Sequence, residues 1–221
     1  ASDNIAVGAH SLYYNDTGLA TTVVGHYALH YSLEDHNSAF GHIAGKYTAD
    51  GEYNTFIGSN AGAGKDEVSS EGEGTARLDG DANTLIGYKS GWQAIKTTAS
   101  NTAVGSQSLG GGVDTSTGML CSDNTVMGTA AGYSITTGSY NTLLGRSAGS
   151  LITTASYQTF VGYHAGDTFT TGTGNTAVGY NSFTSVSTNS GNDDGKPHGN
   201  TALGHRSLED MNITDAIAVY G

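Results

Sequence analysis

A five-residue signature, Asn-Thr-apolar-apolar-Gly, recurs from one end of this chain to the other and restricts its fold more than any other property. Its closing glycine falls at Gly8, Gly25, Gly41, Gly58, Gly87, Gly105, Gly128, Gly145, Gly162, Gly179, Gly204 and, in degenerate form, Gly221. The spacings are 17, 16, 17, 29, 18, 23, 17, 17, 17, 25 and 17. A second signature trails the first: Gly, two variable residues, Ala or Ser, then Gly or a large apolar residue, as in GAHSL, GHIAG, GTAAG, GYHAG and GHRSL. A unit this short cannot bury an apolar face alone and must stack on its neighbours. Composition agrees. With 34 Gly in 221 residues, the chain has about twice the average ~7%, and Gly, Ser, Thr and Asn are poor helix-interior residues. The expected fold is therefore all-β, a repetitive β-roll or β-helix of about eleven repeats forming one domain over residues 1–221.

Each column of the repeat has a physical reading. The residues directly before the marker glycine (Val7, Val24, Phe40, Ile57 and onward) and those one place earlier (Ala6, Val23, Ala39, Phe56 and onward) are both apolar. Neighbouring side chains of a strand point to opposite faces, so two adjacent apolar columns predict a strand buried on both sides. A solenoid of small cross-section fills its interior with one column only. The other is expected to pack against further copies, most simply in a parallel homotrimer around a fibre axis. Asn4, Asn37, Asn54 and their counterparts are expected at the turn entry, where Asn tolerates the left-handed region and bonds its own backbone. Stacked once per coil, they are also expected to form an amide ladder. The Thr column suits a strand start.

The runs NTAVGYNSF, NTLLGRSAG, NTAVGSQSL and NTALGHRSL resemble the repeats of YadA-type trimeric adhesin heads, and the longer NTAVG…TTG form is similar to repeats of phage tail fibres. The resemblance covers nearly all of residues 4–221. It implies a trimeric parallel β-roll in a virion tail fibre or bacterial surface adhesin, extracellular, meeting a host-surface glycan or protein receptor or holding a tip domain and other fibre segments. The 17-residue period differs from that of the adhesin heads. No coiled-coil stalk, membrane anchor or chaperone domain is read in the chain, so one module of a longer fibre is expected.

Three spacings, 29, 23 and 25, exceed the period by more than one residue, and the extra residues lie near 63–82, 110–123 and 184–199, all at one phase of the repeat. Such insertions are expected to protrude from one corner, where repeat proteins often bind. Asp66, Glu67, Glu71 and Glu73 in the first, with Asp193, Asp194 and His198 in the third, are the candidate receptor contacts. Asp79, Asp81 and Asn83 place oxygen ligands on alternate residues, as a calcium loop does, but lack its glycine and distal glutamate. No cofactor or metal is otherwise expected. His26, His42 and His205 share a column with Tyr88, Tyr163, Tyr180, Ser and Arg, a polar surface column whose rings suit stacking against sugars.

Several functions are excluded by the same reading. A net charge of −12 repels nucleic acid, and the absence of an apolar run near ~18 residues argues against a membrane helix. The single cysteine, Cys121, rules out an internal disulfide or a thiolate zinc cluster. Gly145-Arg146-Ser147-Ala148-Gly149 matches a nucleophile elbow by letter, yet its register neighbours read GTAAG and GYHAG, so the serine is the variable member of a structural column. No enzyme is expected. The alternatives are a polysaccharide-degrading tailspike, whose paired acids the insertions would supply, and an ice-binding solenoid suggested by the Thr column.

Overall fold

Each signature becomes a three-residue strand followed by tight turns, and the strands stack one per repeat. In the computed structural model, residues 2–64, 78–92, 98–110, 119–184, 187–188, 198–209 and 212–213 are described. The strands are β1 (Ile5–Val7), β2 (Thr22–Val24), β3 (Ser38–Phe40), β4 (Thr55–Ile57), β5 (Thr84–Ile86), β6 (Thr102–Val104), β7 (Thr125–Met127), β8 (Thr142–Leu144), β9 (Thr159–Val161), β10 (Thr176–Val178), β11 (Ser187–Thr188), β12 (Thr201–Leu203) and β13 (Asn212–Ile213). Among the described residues, β1 to β10 and β12 form an eleven-stranded parallel sheet in sequence order, while β11 pairs with β13. Register never slips: Thr142 lies over Thr159, Leu143 over Phe160 and Leu144 over Val161. The chain is an all-β, parallel β-solenoid.

The marker glycine is required by close stacking of coils. At Gly145 φ is +136°, and a Cβ there would lie 2.3 Å from the carbonyl oxygen of Gly162. The same clash with the next marker glycine recurs from Gly8 to Gly179. Backbone stands directly on backbone at this column, which leaves no room for any side chain.

The asparagines do not occupy the left-handed turn position. That conformation falls on the residue before each one: His36, Tyr53, Ala82, Ser100, Asp123, Tyr140 and Tyr157 all have φ near +60°. The asparagine side chains instead turn inward and bond from coil to coil. The Asn124 backbone N–H donates to Asn101 Oδ1 at 3.0 Å, as does its Nδ2, which also donates to the Gly138 carbonyl at 3.1 Å. Asn141 repeats the pattern on Asn124. Gln158 fits the same place, bonding Asn141 Oδ1 through its N–H and receiving the Asn175 N–H on its own amide oxygen. Most ladder amides are thereby satisfied along the rod, as the expected amide ladder requires, although the buried Asn54 Nδ2 has no partner.

Of the two apolar columns, one is inside and one outside. Val23, Ala39, Phe56, Leu85, Ala103, Val126, Leu143, Phe160 and Ala177 are buried, whereas Val24, Phe40, Ile57 and Met127 are more than a third exposed. Interior volume is balanced against the last place of the second signature, six residues on. Ala103 and Ala177 pair with Leu109 and Phe183, both fully buried. Large residues pair with glycine: a Cβ at Gly166 would lie 2.2 Å from the Phe160 ring, and one at Gly62 2.4 Å from Phe56. Val23 and Leu29 are both large, and the next coil compensates with Ala39 and Gly45, where a Cβ would meet the Phe56 ring at 2.5 Å and Leu29 at 2.7 Å. The insertions contribute to this core where they rejoin it, through Leu78, Met119 and Cys121.

Two stability outcomes follow. Asn124→Ala strands the Asn141 N–H and the Gly138 carbonyl and should cost roughly 2–4 kcal/mol in urea unfolding, whereas Asn124→Gln should retain most of the stability, as Gln158 does. Phe160→Ala should cost about 3–5 kcal/mol and Gly166→Leu about 1–3 kcal/mol. Their combination should be less destabilised than the sum by at least about 1 kcal/mol, because leucine would then occupy the space the ring vacates.

Candidate binding surfaces

The outer face of the long sheet is built by alternation. With the middle residue buried in β2 to β10 and in β12, the first and third point out together, so Thr and apolar columns run side by side along one face. Ile57, Met127 and Leu203 are 40%, 51% and 70% exposed on it. Thr55, Thr84, Thr102, Thr125, Thr142, Thr159, Thr176 and Thr201 are exposed or half-buried beside them. The Thr column therefore shares a face with the outward apolar column. Ten strand spacings of ~4.8 Å give a strip about 50 Å long and about 10 Å wide, on the order of 500 Å². That is at the upper end of the largest apolar patch on an ordinary monomer.

Aromatic rings flank this strip and stack on one another. After the marker glycine, His26 stacks on His42 at 5.4 Å, Tyr163 on Tyr180 at 5.2 Å, and Tyr180 on His205 at 5.2 Å. Arg146 lies over the Tyr163 ring at 5.6 Å. Before the ladder residue, His36 stacks on Tyr53 and Tyr140 on Tyr157. These contacts occupy one ring face at the ends of each stack, and Tyr53, Tyr140 and Tyr157 remain more than half exposed. The histidine column is thus a surface column as read, with its rings engaged along the rod.

The densest aromatic group surrounds His30. Its ring stacks on Tyr13 at 5.3 Å and meets Tyr14, Tyr27 and Tyr31 edge-on, and its Nδ1 bonds the His10 carbonyl at 2.9 Å. Burial lowers its pKa below the ordinary 6.5, helped by the charges of Lys46 and His10 and opposed by the His10 carbonyl bond.

Asp81 and Asn83 are held in different surroundings. Asn83 Oδ1 accepts from both the N–H and Nδ2 of Asn101, and its Nδ2 donates to Asn54 Oδ1 and the Thr98 carbonyl. It lies within the interior ladder, whereas Asp81 is exposed and accepts the Glu52 N–H at 2.8 Å. Among the described residues no group of three or more His, Cys, Asp or Glu side chains is placed to hold a metal ion. Partial burial raises the Glu34 pKa, and Glu52, Asp50, Asp35 and Asp81 raise it further, so these carboxylates form a negative corner. Asp66, Glu67, Glu71, Glu73, Asp193 and Asp194 lie outside the described residues. His198 is described. Its Nδ1 receives the Thr173 N–H at 3.2 Å and lies 2.8 Å from Thr173 Oγ1, so it joins two coils.

One arrangement resembles hydrolase chemistry by composition only. Asp167 sits between Ser150, whose hydroxyl donates to it, and His164, whose Nδ1 lies 2.5 Å from its Oδ2. Nucleophilic serine catalysis needs the histidine between the other two. Ser147 of the GRSAG run belongs to a different column, where its N–H bonds the Thr129 carbonyl. Among the described residues no helix is long and apolar enough to cross a membrane. No family model, curated protein or solved structure matches the chain significantly.

The His30 environment makes a pH prediction with a definite sign. Because the folded pKa lies below the unfolded 6.5, His30 contributes full stability above about pH 6.5, and that contribution is lost as pH falls toward the folded value. Protection factors of the Leu29 and Tyr31 amides, taken relative to the intrinsic exchange rate at each pH, should fall between pH 7 and 5, and His30→Asn should flatten that dependence.

Proposed function

We propose that this chain is a rod segment of a homotrimeric extracellular fibre, of the phage tail-fibre or bacterial-adhesin type, which projects toward or binds a host-cell surface and carries out no chemistry. The observation that carries this reading is the outward apolar column, present in every strand of the long sheet and interrupted by no charged residue. The apolar column is about half of a strip on the order of 500 Å², and at ~25 cal/mol per Å² covering it supplies on the order of 6 kcal/mol, which offsets part of the cost of association. Three copies sharing an axis cover one such face per chain and display each insertion corner three times, which favours multivalent contact. The resemblance of the NTAVG repeats to trimeric adhesin heads and tail fibres supports the same reading, as does a rod of stacked coils with few charged side chains.

A second reading rests on the Thr column. It lies in register on an exposed sheet face, as an ice-binding array must. Against it, the adjoining column alternates Val with Phe40, Ile57, Met127 and Leu144, a stepped relief better suited to interlocking side chains than to a flat ice plane.

Light scattering after gel filtration distinguishes the two. The fibre reading expects a mass near three times 22.5 kDa, reduced to one chain mass in Ile57→Asp/Val104→Asp without loss of the β-sheet circular dichroism. A stable monomer showing thermal hysteresis would establish the second reading and overturn the first.

A further inference from the structure

Tyrosines one coil apart lie face to face along the rod. Tyr14 stacks on Tyr31 with ring centroids 5.1 Å apart and planes within 7°, and Tyr31 stacks on Tyr47 at 5.3 Å and 11°. Tyr140 and Tyr157 are 4.9 Å apart and Tyr163 and Tyr180 5.2 Å, each pair within 7° of parallel. This geometry follows from the register: residues 16 or 17 apart occupy one column, and the coil spacing places their rings in contact. Five of the seven rings are exposed, Tyr14 by 49%, Tyr140 53%, Tyr157 60%, Tyr163 37% and Tyr180 49%, while Tyr31 and Tyr47 are half-buried.

We propose that these four pairs are sites of oxidative tyrosine–tyrosine coupling, which joins successive coils by carbon–carbon bonds in the presence of a peroxide-driven one-electron oxidant. Each phenol gives up one electron and one proton. The two phenoxyl radicals join through ring carbons ortho to oxygen, and the hydrogens on those carbons then shift to the oxygens and restore aromaticity. One hydrogen peroxide takes up the two electrons and two protons and becomes two waters. Holding both rings in contact before oxidation makes the coupling unimolecular, so it outpaces encounter with another chain. The only thiol able to intercept such radicals belongs to Cys121, which is fully buried, and burial pushes its pKa up to about 12. A thiolate at the surface is therefore absent as a competitor. Each bond closes a loop of one repeat and restricts the unfolded chain as a disulfide does, in a protein whose single cysteine cannot form one internally.

The inference is independent of the fibre reading, since it needs only one chain. The full chain is treated with a haem peroxidase and hydrogen peroxide, and dityrosine fluorescence and cross-linked peptides are measured. The expected products link Tyr14–Tyr31, Tyr31–Tyr47, Tyr140–Tyr157 and Tyr163–Tyr180 within a band of single-chain mass under denaturing conditions. The variant Tyr31→Phe/Tyr157→Phe/Tyr180→Phe keeps the ring stacks and eliminates all four pairs, and should lower dityrosine yield at least fivefold. Tyr133→Phe, at a tyrosine with no ring stack among the described residues, should leave it unchanged. The single variant Tyr157→Phe should remove only the Tyr140 link, which preserves the test if the triple variant folds poorly. Absence of dityrosine, undiminished yield in the variants, or links chiefly between chains would overturn the proposal.

Discussion

Direct stacking of backbone on backbone at the marker glycine governs the architecture. Where one glycine lies against the carbonyl of the next, any Cβ would fall within 2.2–2.7 Å of that oxygen from Gly8 to Gly179. This contact holds every coil at the same rotation about the rod, which keeps the strands in register. In-register strands in turn place like residues above one another. The amide ladder, the aromatic stacks and the outward apolar strip are consequences of that one constraint, because each needs the same column to recur at the same angle. A coil that slipped by one residue would turn its Asn out to solvent and its outer apolar residue into a space shaped for another side chain.

The columns share the work unevenly. Interior amides bond one another and the corner carbonyls, which lets polar groups fill part of a narrow core with few unpaired donors, Asn54 Nδ2 among them. The remaining interior is filled by two side chains per coil whose sizes offset each other. Much of the chain's charge is kept to the corners and insertions, and the broad face of the sheet remains apolar and hydroxylic. A molecule with so little interior per residue depends on neighbours above and below each coil, and stability should be read as a sum of coil–coil interfaces.

Much of this was legible in the sequence, for identifiable reasons. The period, the strand position and the marker glycine follow from recurrence alone, and the inward ladder follows from one Asn per coil. Which apolar column faced inward was not assigned from the sequence, although the signal was present. The interior column contains Ala6, Ala39, Ala103, Ala177 and Ala202, while the outward column contains no alanine. Alanine is tolerated where a large residue six places on can fill the gap, and Leu109 and Phe183 do so. The left-handed turn position was misplaced because Asn tolerates that conformation, yet here the interior hydrogen bonds hold Asn extended and the strain falls on Tyr53, Tyr140 and Ala82. The alternate-residue oxygen pattern at Asp79, Asp81 and Asn83 came from the same source: Asn83 is there for the ladder. The ring stacks could have been anticipated from Tyr recurring at 17-residue intervals, since a shared column is a shared height.

Size balancing between the two interior places also bears on how such a rod can grow or shrink. Most coils are self-contained in volume, so removal of one 17-residue unit, such as 142–158, brings together two surfaces that already match and shortens the rod by about one strand spacing, ~4.8 Å. Recombination between repeats can therefore lengthen or trim the molecule in whole steps. The coils of Val23–Leu29, Ala39–Gly45 and Phe56–Gly62 are the exception, because Leu29 and the Phe56 ring both use the space over Gly45. Gly45 is thus tied to the coils on both sides, and any lineage of such rods should carry these three coils as a single heritable block.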